Sequence, residues 1–431
     1  MRWARWYRIR FWVVTNMWMV PMLYAAAAIF LGWFVPHLDT VRPLRYGLNA
    51  GSMATALSSI ATGMIAFTGL VFSIVLLIVQ FGSGTFSTRL MRWFWRSAVT
   101  KHALGIFIAT FLYSLLALAD INSSRHPDPP TRSFIFAMLL VFLSVALFLA
   151  LLARMTGLLR VARVTRELGQ QTIKVIGTVA PYPYDAPSAR GQEAIDRAGG
   201  TPTTVVAHHG TPASIMAIDQ FGLVRQAQRE GALIELVPAV GQHVTTGEPL
   251  FRVYGAPSVN GRALAKGVVF GEERTLDSDP AFGIRLMVDV ALKALSPAIN
   301  DPTTAVQVLD RLEDVLRFAG QRQLNHGVAA DGQGRVRLVY PVPTWEDLVE
   351  LALDEILVYG LRAPQVTRRM SALLERLDAG VPEGRRPVVA RYLDRLYQAV
   401  GAVQPDPPGR RFALTPDPQG IGPRAHRGEM R

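Results

Sequence analysis

Five polar side chains crowd into one short stretch, Ser296, Asn300, Asp301, Thr303 and Thr304, within the string Ser296-Pro297-Ala298-Ile299-Asn300-Asp301-Pro302-Thr303-Thr304. Hydroxyl, amide and carboxylate oxygens are the groups that hold a hard cation or a polar ligand. The same residues also suit plain architecture. Pro297 breaks a preceding helix, Asp301 is a favoured N-cap, and Pro302 fits the first position of the next helix. The spacing therefore supports either a helix corner or a contact with a ligand, an ion or another subunit.

The other chemistry-bearing groups are less organised. Glu272, Glu273, Asp277 and Asp279 form an acidic run around Arg274, where paired carboxylates could serve as acid and base. Charged loops are more often simply solvated. His208, His209 and His243 lack the helical spacing of zinc-binding histidine motifs, so no metal site is expected. Gly241, Gly247, Gly255, Gly261 and Gly267 match neither a P-loop nor a dinucleotide fingerprint. The chain has no cysteine, which removes disulfides, thiolate catalysis and Cys-ligated metals. No set of catalytic residues emerges and no cofactor is implied.

These groups must be positioned by elements, and the N-terminal elements belong in a bilayer. Apolar segments at about Phe11–Phe34, Leu57–Phe81, His102–Ala119 and Ser133–Leu152 approach or exceed the ~20 residues a transmembrane helix needs. The second carries Ser59, Thr62, Gly63, Gly69, Ser73 and Gln80. Small residues four apart let another helix approach closely, and hydroxyls along one face could line a path. No Asp, Glu, Lys or Arg lies at the centre of any span, which argues against a proton-coupled transporter or a voltage sensor.

Basic residues fix the expected orientation. Thirteen Lys and Arg flank the N-terminus, the second connection and the end of the fourth segment, against four in the first and third connections. The positive-inside rule then places both termini in the cytoplasm of a bacterial inner membrane. The formal charge of +12 resides almost wholly in residues 1–180, with 17 basic and 4 acidic side chains, while residues 181–431 hold 28 and 29. The excess belongs at anionic headgroups, and nucleic acid is not expected as a partner.

The expected fold is an α-helical membrane domain of four transmembrane helices followed by a cytoplasmic α+β domain. Residues 1–160 form the membrane part and 161–203 a helical extension with a Pro/Gly-rich linker. Residues 204–270 form a mixed, small β-sandwich-like part, 271–402 a mainly helical part, and 403–431 a disordered tail. Strands are expected at Ala213–Ile218, Leu233–Val237 and Val336–Tyr340, and helices at Gln220–Arg229, Pro364–Leu377 and Arg386–Val400. A helix is also expected to start near Thr344, which with Asp347 has the spacing of an N-terminal cap.

The stretch Arg274–Leu316, centred on Ala294–Ala305, resembles the DUF2254 family of bacterial membrane proteins. The similarity extends to Phe72-Ser73, to Thr85-Phe86-Ser87-Thr88-Arg89 and to Pro343–Tyr359, although Ser278 and Thr88 depart from the expected pattern. That resemblance implies an architecture and brings no activity with it. The leading functional expectation is an oligomeric channel or transport-type assembly with a cytoplasmic gating domain. The rival is a membrane-anchored sensor or scaffold that binds a ligand or partner near Ser296–Thr304. An enzyme would require the 272–279 carboxylates to meet the Asn300–Asp301 turn in one pocket.

Overall fold

The computed structural model describes residues 2–41, 49–85, 98–123, 131–158, 160–184, 190–256, 259–272, 274–324 and 326–421. Residues 9–160 form one compact unit, and residues 1–8 with 161–431 form the other. The Phe86–Arg89 motif, the basic residues Arg42, Arg45, Arg92, Arg96 and Arg125, and Trp93 and Trp95 lie outside the described residues.

Helix α1 (Arg2–Thr15) contributes its residues from 9 onward to the first unit, which also holds α2 (Met19–Val41), α3 (Ala50–Thr85), α4 (Ala98–Ser123) and α5 (Thr131–Leu158). The last four contain segments long and apolar enough to cross a bilayer: Met19–Leu38, Ala50–Gln80, Ala98–Ile121 and Thr131–Arg154. The first span thus starts later than the apolar run suggests. Asn16 accepts a hydrogen bond from the Trp18 N–H at 2.9 Å, so the chain breaks between α1 and α2. A short amide side chain that bonds the local backbone competes with helix continuation.

Helix α4 is the hub of this unit, with 50% of its apolar stretch buried against 17–22% for the other three. Glycines bring α2 onto it. A Cβ at Gly105 would lie 2.5 Å from Tyr24 Cδ2, and one at Gly32 would lie 2.8 Å from Leu116 Cδ1. From α3, the Phe67 ring meets Phe107 of α4 at 5.2 Å and Phe148 of α5 at 4.9 Å, both edge to face. The Thr110 and Ser144 hydroxyls lie 3.0 Å apart between α4 and α5, so that one donates to the other, which in turn donates to a carbonyl one turn back in its own helix. Buried hydroxyls are thereby satisfied where water is absent.

The second unit begins with α6 (Val161–Val179), expected as an extension of the fourth segment, and α7 (Arg190–Arg197). Strands β1 (Thr204–Ala207), β2 (Ala213–Ile218), β3 (Leu233–Leu236), β4 (His243–Val244), β5 (Pro249–Tyr254), β6 (Val268–Gly271), β7 (His326–Ala330) and β8 (Val336–Pro341) form two sheets. The larger has the order β1-β5-β3-β8-β7, with β3 and β8 parallel, and the smaller has the order β4-β2-β6. The glycine-containing stretch 240–250 does not close a simple hairpin. It hands the chain from one sheet to the other, because β4 pairs with β2 while β5 pairs with β1 and β3. Gly241 (φ +88) and Gly247 (φ +91) supply the left-handed backbone that this path needs.

Among the strands lie α8 (Gln220–Arg229) and α9 (Gly261–Ala265), and the helical part follows. It comprises α10 (Pro280–Leu295), α11 (Pro302–Gly320), α12 (Trp345–Gly360), α13 (Pro364–Gly380), α14 (Arg386–Val403) and α15 (Pro407–Leu414). Thr344 and Asp347 make the full reciprocal cap of α12. Helix α10 is buried on most sides, through Phe282, Ile284, Leu286, Met287, Val288 and Val290. Helix α6 lays Val164, Leu168, Thr172 and Ile176 into this core, approaching α10 at Gly283, where a Cβ would lie 2.1 Å from Thr172 Oγ1.

The Pro/Gly-rich linker and the tail expected to be disordered each contain a helix among the described residues. In the linker, α7 packs Ile195 among Leu233, Tyr254, Val328 and Val339. In the tail, Asp406 caps α15 through the Gly409 N–H at 2.7 Å. The chain then binds α13, with Thr367 Oγ1 donating to Ala413 O at 2.8 Å and Arg368 Nε to Thr415 O at 3.1 Å. Both segments are too short and polar to show a periodic stripe, and tertiary partners order them. Residues 422–431 lie outside the described residues.

The glycine contacts on α4 give a first prediction. Gly105→Ala forces Tyr24 to shift and should cost about 1–3 kcal/mol, as overpacking does. Gly332→Ala, where nothing lies within 4 Å, should be neutral. Unfolding of the detergent-solubilised protein by titrated denaturing detergent compares the two; equal effects would contradict this packing.

Candidate functional site

The turn between α10 and α11 brings Ser296, Asn300, Asp301, Thr303 and Thr304 together, and most of their hydrogen-bonding capacity is spent on the helix ends. Ser296 Oγ donates to Lys293 O at 2.7 Å, and the Asp301 N–H donates to Ala294 O at 2.8 Å. Asp301 Oδ1 accepts from the Thr304 N–H at 3.1 Å, and Oδ2 accepts from the Thr304 hydroxyl at 2.6 Å. These bonds satisfy groups that a helix end leaves orphaned. Asn300 adopts φ +49, a conformation its short amide tolerates better than most side chains. Pro297, Ala298, Ile299, Asn300 and Thr303 are exposed, so the corner forms a knob on this unit's surface.

The acidic run disperses. Glu272 and Asp277 are exposed, and Glu273 lies outside the described residues. Asp279 alone is buried, as the N-cap of α10, with Oδ1 accepting from the Phe282 N–H at 3.1 Å. Its Oδ2 lies 3.7 Å from Arg274 Nε, which itself donates to Gly241 O at 2.6 Å. Burial pushes the Asp279 carboxyl above its ordinary 3.8, while Arg274 and two backbone N–H groups pull the other way. Gly241 is required here, since a Cβ would lie 2.1 Å from Asp279 Oδ2. Asp279 caps the N-terminus of α10 and Asp301 that of α11, so the 16 residues of α10, which span about 24 Å, lie between them. Among the described residues, the single pocket that an enzyme reading required is therefore not formed.

The histidines are not gathered either. His208 is buried against Phe270, with ring centroids 4.4 Å apart and Nε2 3.0 Å from Thr211 O. His209 and His243 are exposed, and among the described residues no group of three His, Asp or Glu could hold a metal.

On α3, Ser59, Thr62, Gly63, Gly69, Ser73 and Gln80 fall within a sector of about 120° at 100° per residue. All six are exposed within the chain. The inward face carries Met53, Leu57, Ala61, Met64, Val71 and Val75, directly opposite. Ser59 and Ser73 bond the carbonyls of Thr55 and Gly69, each at 2.9 Å, so neither hydroxyl is bare. Beside this sector, Trp18, Phe72, Leu104 and Phe111 line an apolar groove of about 470 Å³ that suits an acyl chain.

Two constellations escaped the sequence reading. Arg369 of α13, 2% exposed, reaches Asp310 at 2.8 Å and Glu313 at 2.5 Å on α11. Arg166, Gln170 and Ile173 of α6 line a groove of about 370 Å³ with Arg311 and Asp314 of α11. The one-turn spacings within each helix hint at a shared face, but the partner helix is 59 residues away for Arg369 and Asp310 and well over a hundred for Arg166 and Arg311.

The family described as predicted membrane protein (DUF2254) matches residues 14–376. This chain belongs to the DUF2254 family. Uncharacterized proteins of Mycobacterium tuberculosis and Mycobacterium bovis are 31% identical over 338 residues, covering 76% of this chain and 64% of theirs. The chain therefore spans less than two thirds of the length of these relatives. No solved structure matches it. As a DUF2254 member it is a multi-pass membrane protein with four candidate spans.

Asp279 provides the pH test. A raised carboxyl pKa contributes stability that is complete below the unfolded value near 3.8 and is lost as pH rises through the folded value. Asp279→Asn keeps a capping side chain and removes the titration. Its melting temperature relative to the natural protein should be more favourable at pH 7 than at pH 4. A difference independent of pH would contradict the burial of this carboxylate.

Proposed function

We propose that this protein self-associates through the outward face of α3 and works as an oligomeric channel or transport-type assembly, with the second unit as its assembly or gating part. The observation that carries this reading is the placement of Ser59, Thr62, Gly63, Gly69 and Ser73 opposite the face that packs inside the chain. Lipid alone does not call for small and hydroxylated residues, although Leu70 and Leu77 share the sector. A Cβ at Gly63 or Gly69 would meet nothing within 4 Å, so a single chain leaves this surface unfilled. In a membrane, small residues allow the close backbone approach that drives helix association.

Native mass spectrometry of the full chain from nanodiscs tests this directly. A closed assembly of several copies is expected, and it should dissociate in the Gly63→Leu/Gly69→Leu double variant while each chain stays folded. A monomeric natural protein would sink the reading, and planar-bilayer conductance then tests transport by whatever assembly is found.

The rival sensor or scaffold reading draws on the exposed corner at 297–300, where Ile299 keeps 40% of its surface free. A monomer that passes no ions but is stabilised by a metabolite, with the effect lost in Asn300→Ala, would favour it.

We also propose cytoplasmic termini in a bacterial inner membrane, on the asymmetry of basic residues. The absence of native cysteine makes the test clean. Gly332 is exposed with open space around it, so Gly332→Cys should react with a membrane-impermeant maleimide only after cells are permeabilised. Labelling of intact cells would reverse the orientation.

A further inference from the structure

The groove between α6 and α11 has the composition of a site for a phosphate ester. Arg166 and Arg311 supply two guanidinium groups, each a fixed fork of N–H donors suited to phosphate oxygens. Gln170 adds an amide, and Asp314 adds a carboxylate that takes hydrogen bonds from hydroxyl groups. Gly169 forms the floor, where a Cβ would already touch Arg311 Cβ at 3.6 Å, and Ile173 gives an apolar wall.

The space of about 370 Å³ is too large for a bare phosphate and leaves room for the alcohol it esterifies. A single inorganic anion would use the two arginines and leave Asp314 unfavourably close. A phosphate carrying a hydroxylated alcohol uses all four polar groups. Arg311 is held at the rim by Asp314, with Nη1 and Oδ2 2.9 Å apart, so its guanidinium is already placed.

Chain connectivity makes the bilayer a natural source. Arg166 follows the end of α5 at Leu158 by only eight residues, and Arg160 and Arg163 lie between them. Basic side chains just outside a span attract anionic headgroups. We propose that this groove binds a phosphate ester of a small polyol, presented as an anionic lipid headgroup or as the free polyol phosphate. This inference stands apart from the proposed oligomer and does not require it.

The full chain in nanodiscs of zwitterionic lipid provides the test, with phosphatidylglycerol added in one arm and soluble glycerol 3-phosphate in the other. Retained adducts are counted by native mass spectrometry across a titration. Saturable binding should weaken about tenfold or more in Arg166→Gln, the loss expected for a charge-assisted hydrogen bond. Lys174→Gln removes an equal charge from the same helix outside the groove and should change binding less than about twofold. Both side chains are exposed, so both variants should fold, and unchanged melting temperatures confirm it. That pattern in the lipid arm assigns a headgroup, and in the soluble arm a free metabolite. Equal losses in the two variants, or no saturable binding of either probe, would overturn the site.

Discussion

The architecture of the second unit depends on α6 being part of its core. This helix starts three residues after α5 ends, yet its apolar stripe at Val164, Leu168, Thr172 and Ile176 is fully buried against α10 and α11. The approach to α10 is close because Gly283 has no side chain to oppose Thr172. Deleting such a stripe would leave the most apolar helix of the unit, α10, facing water on one side. Helix α6, which follows the membrane part in sequence, is thus a segment without which this unit cannot close its core.

Polar groups inside this unit are organised by the same economy. Arg369 is almost wholly buried, and its charge is met by Asp310 and Glu313 from the facing helix, with Arg376 adding a 3.4 Å contact to Glu313. Such a group ties α11 to α13 in one register, because an uncompensated buried charge would be costly. On the other side of the core, Arg285 pairs with Asp289 at 2.6 Å and with both oxygens of Glu355, joining α10 to α12. That pairing holds the Glu355 carboxyl below its ordinary range. The tail closes over α13 through Arg368 and Thr367, which accounts for order in a stretch rich in proline and glycine.

The membrane unit follows a different rule. Its helices gain nothing by hiding apolar side chains from lipid, so contact is decided by shape and by buried hydrogen bonds. Gly32 and Gly105 do this for α2 and α4, and Thr110 with Ser144 does it for α4 and α5. Helix α3 joins them through Phe67 and a row of mid-sized apolar residues, which leaves its small residues on the outside. The glycines that pack this bundle are therefore not the glycines that spacing in the second segment singles out.

Much of the fold is legible in the sequence because its signals are local. Four uncharged apolar runs require helices in lipid, since nothing else there can satisfy the backbone. Asp301-Pro302 and Thr344 with Asp347 announce helix starts, and the strands at 213–218 and 336–341 follow from short β-branched runs between turn residues. What the sequence could not determine is which faces meet. The sheet exchange at Gly241–Gly247, the separation of Asp279 from Asp301 along α10, the outward direction of Gly63 and Gly69, and the pairing of Arg166 with Arg311 all join residues or directions that no local pattern links. Periodicity tells that a helix has a small face or a charged face. Only the packing of distant helices decides whether that face is buried, left for a partner, or opened into a groove.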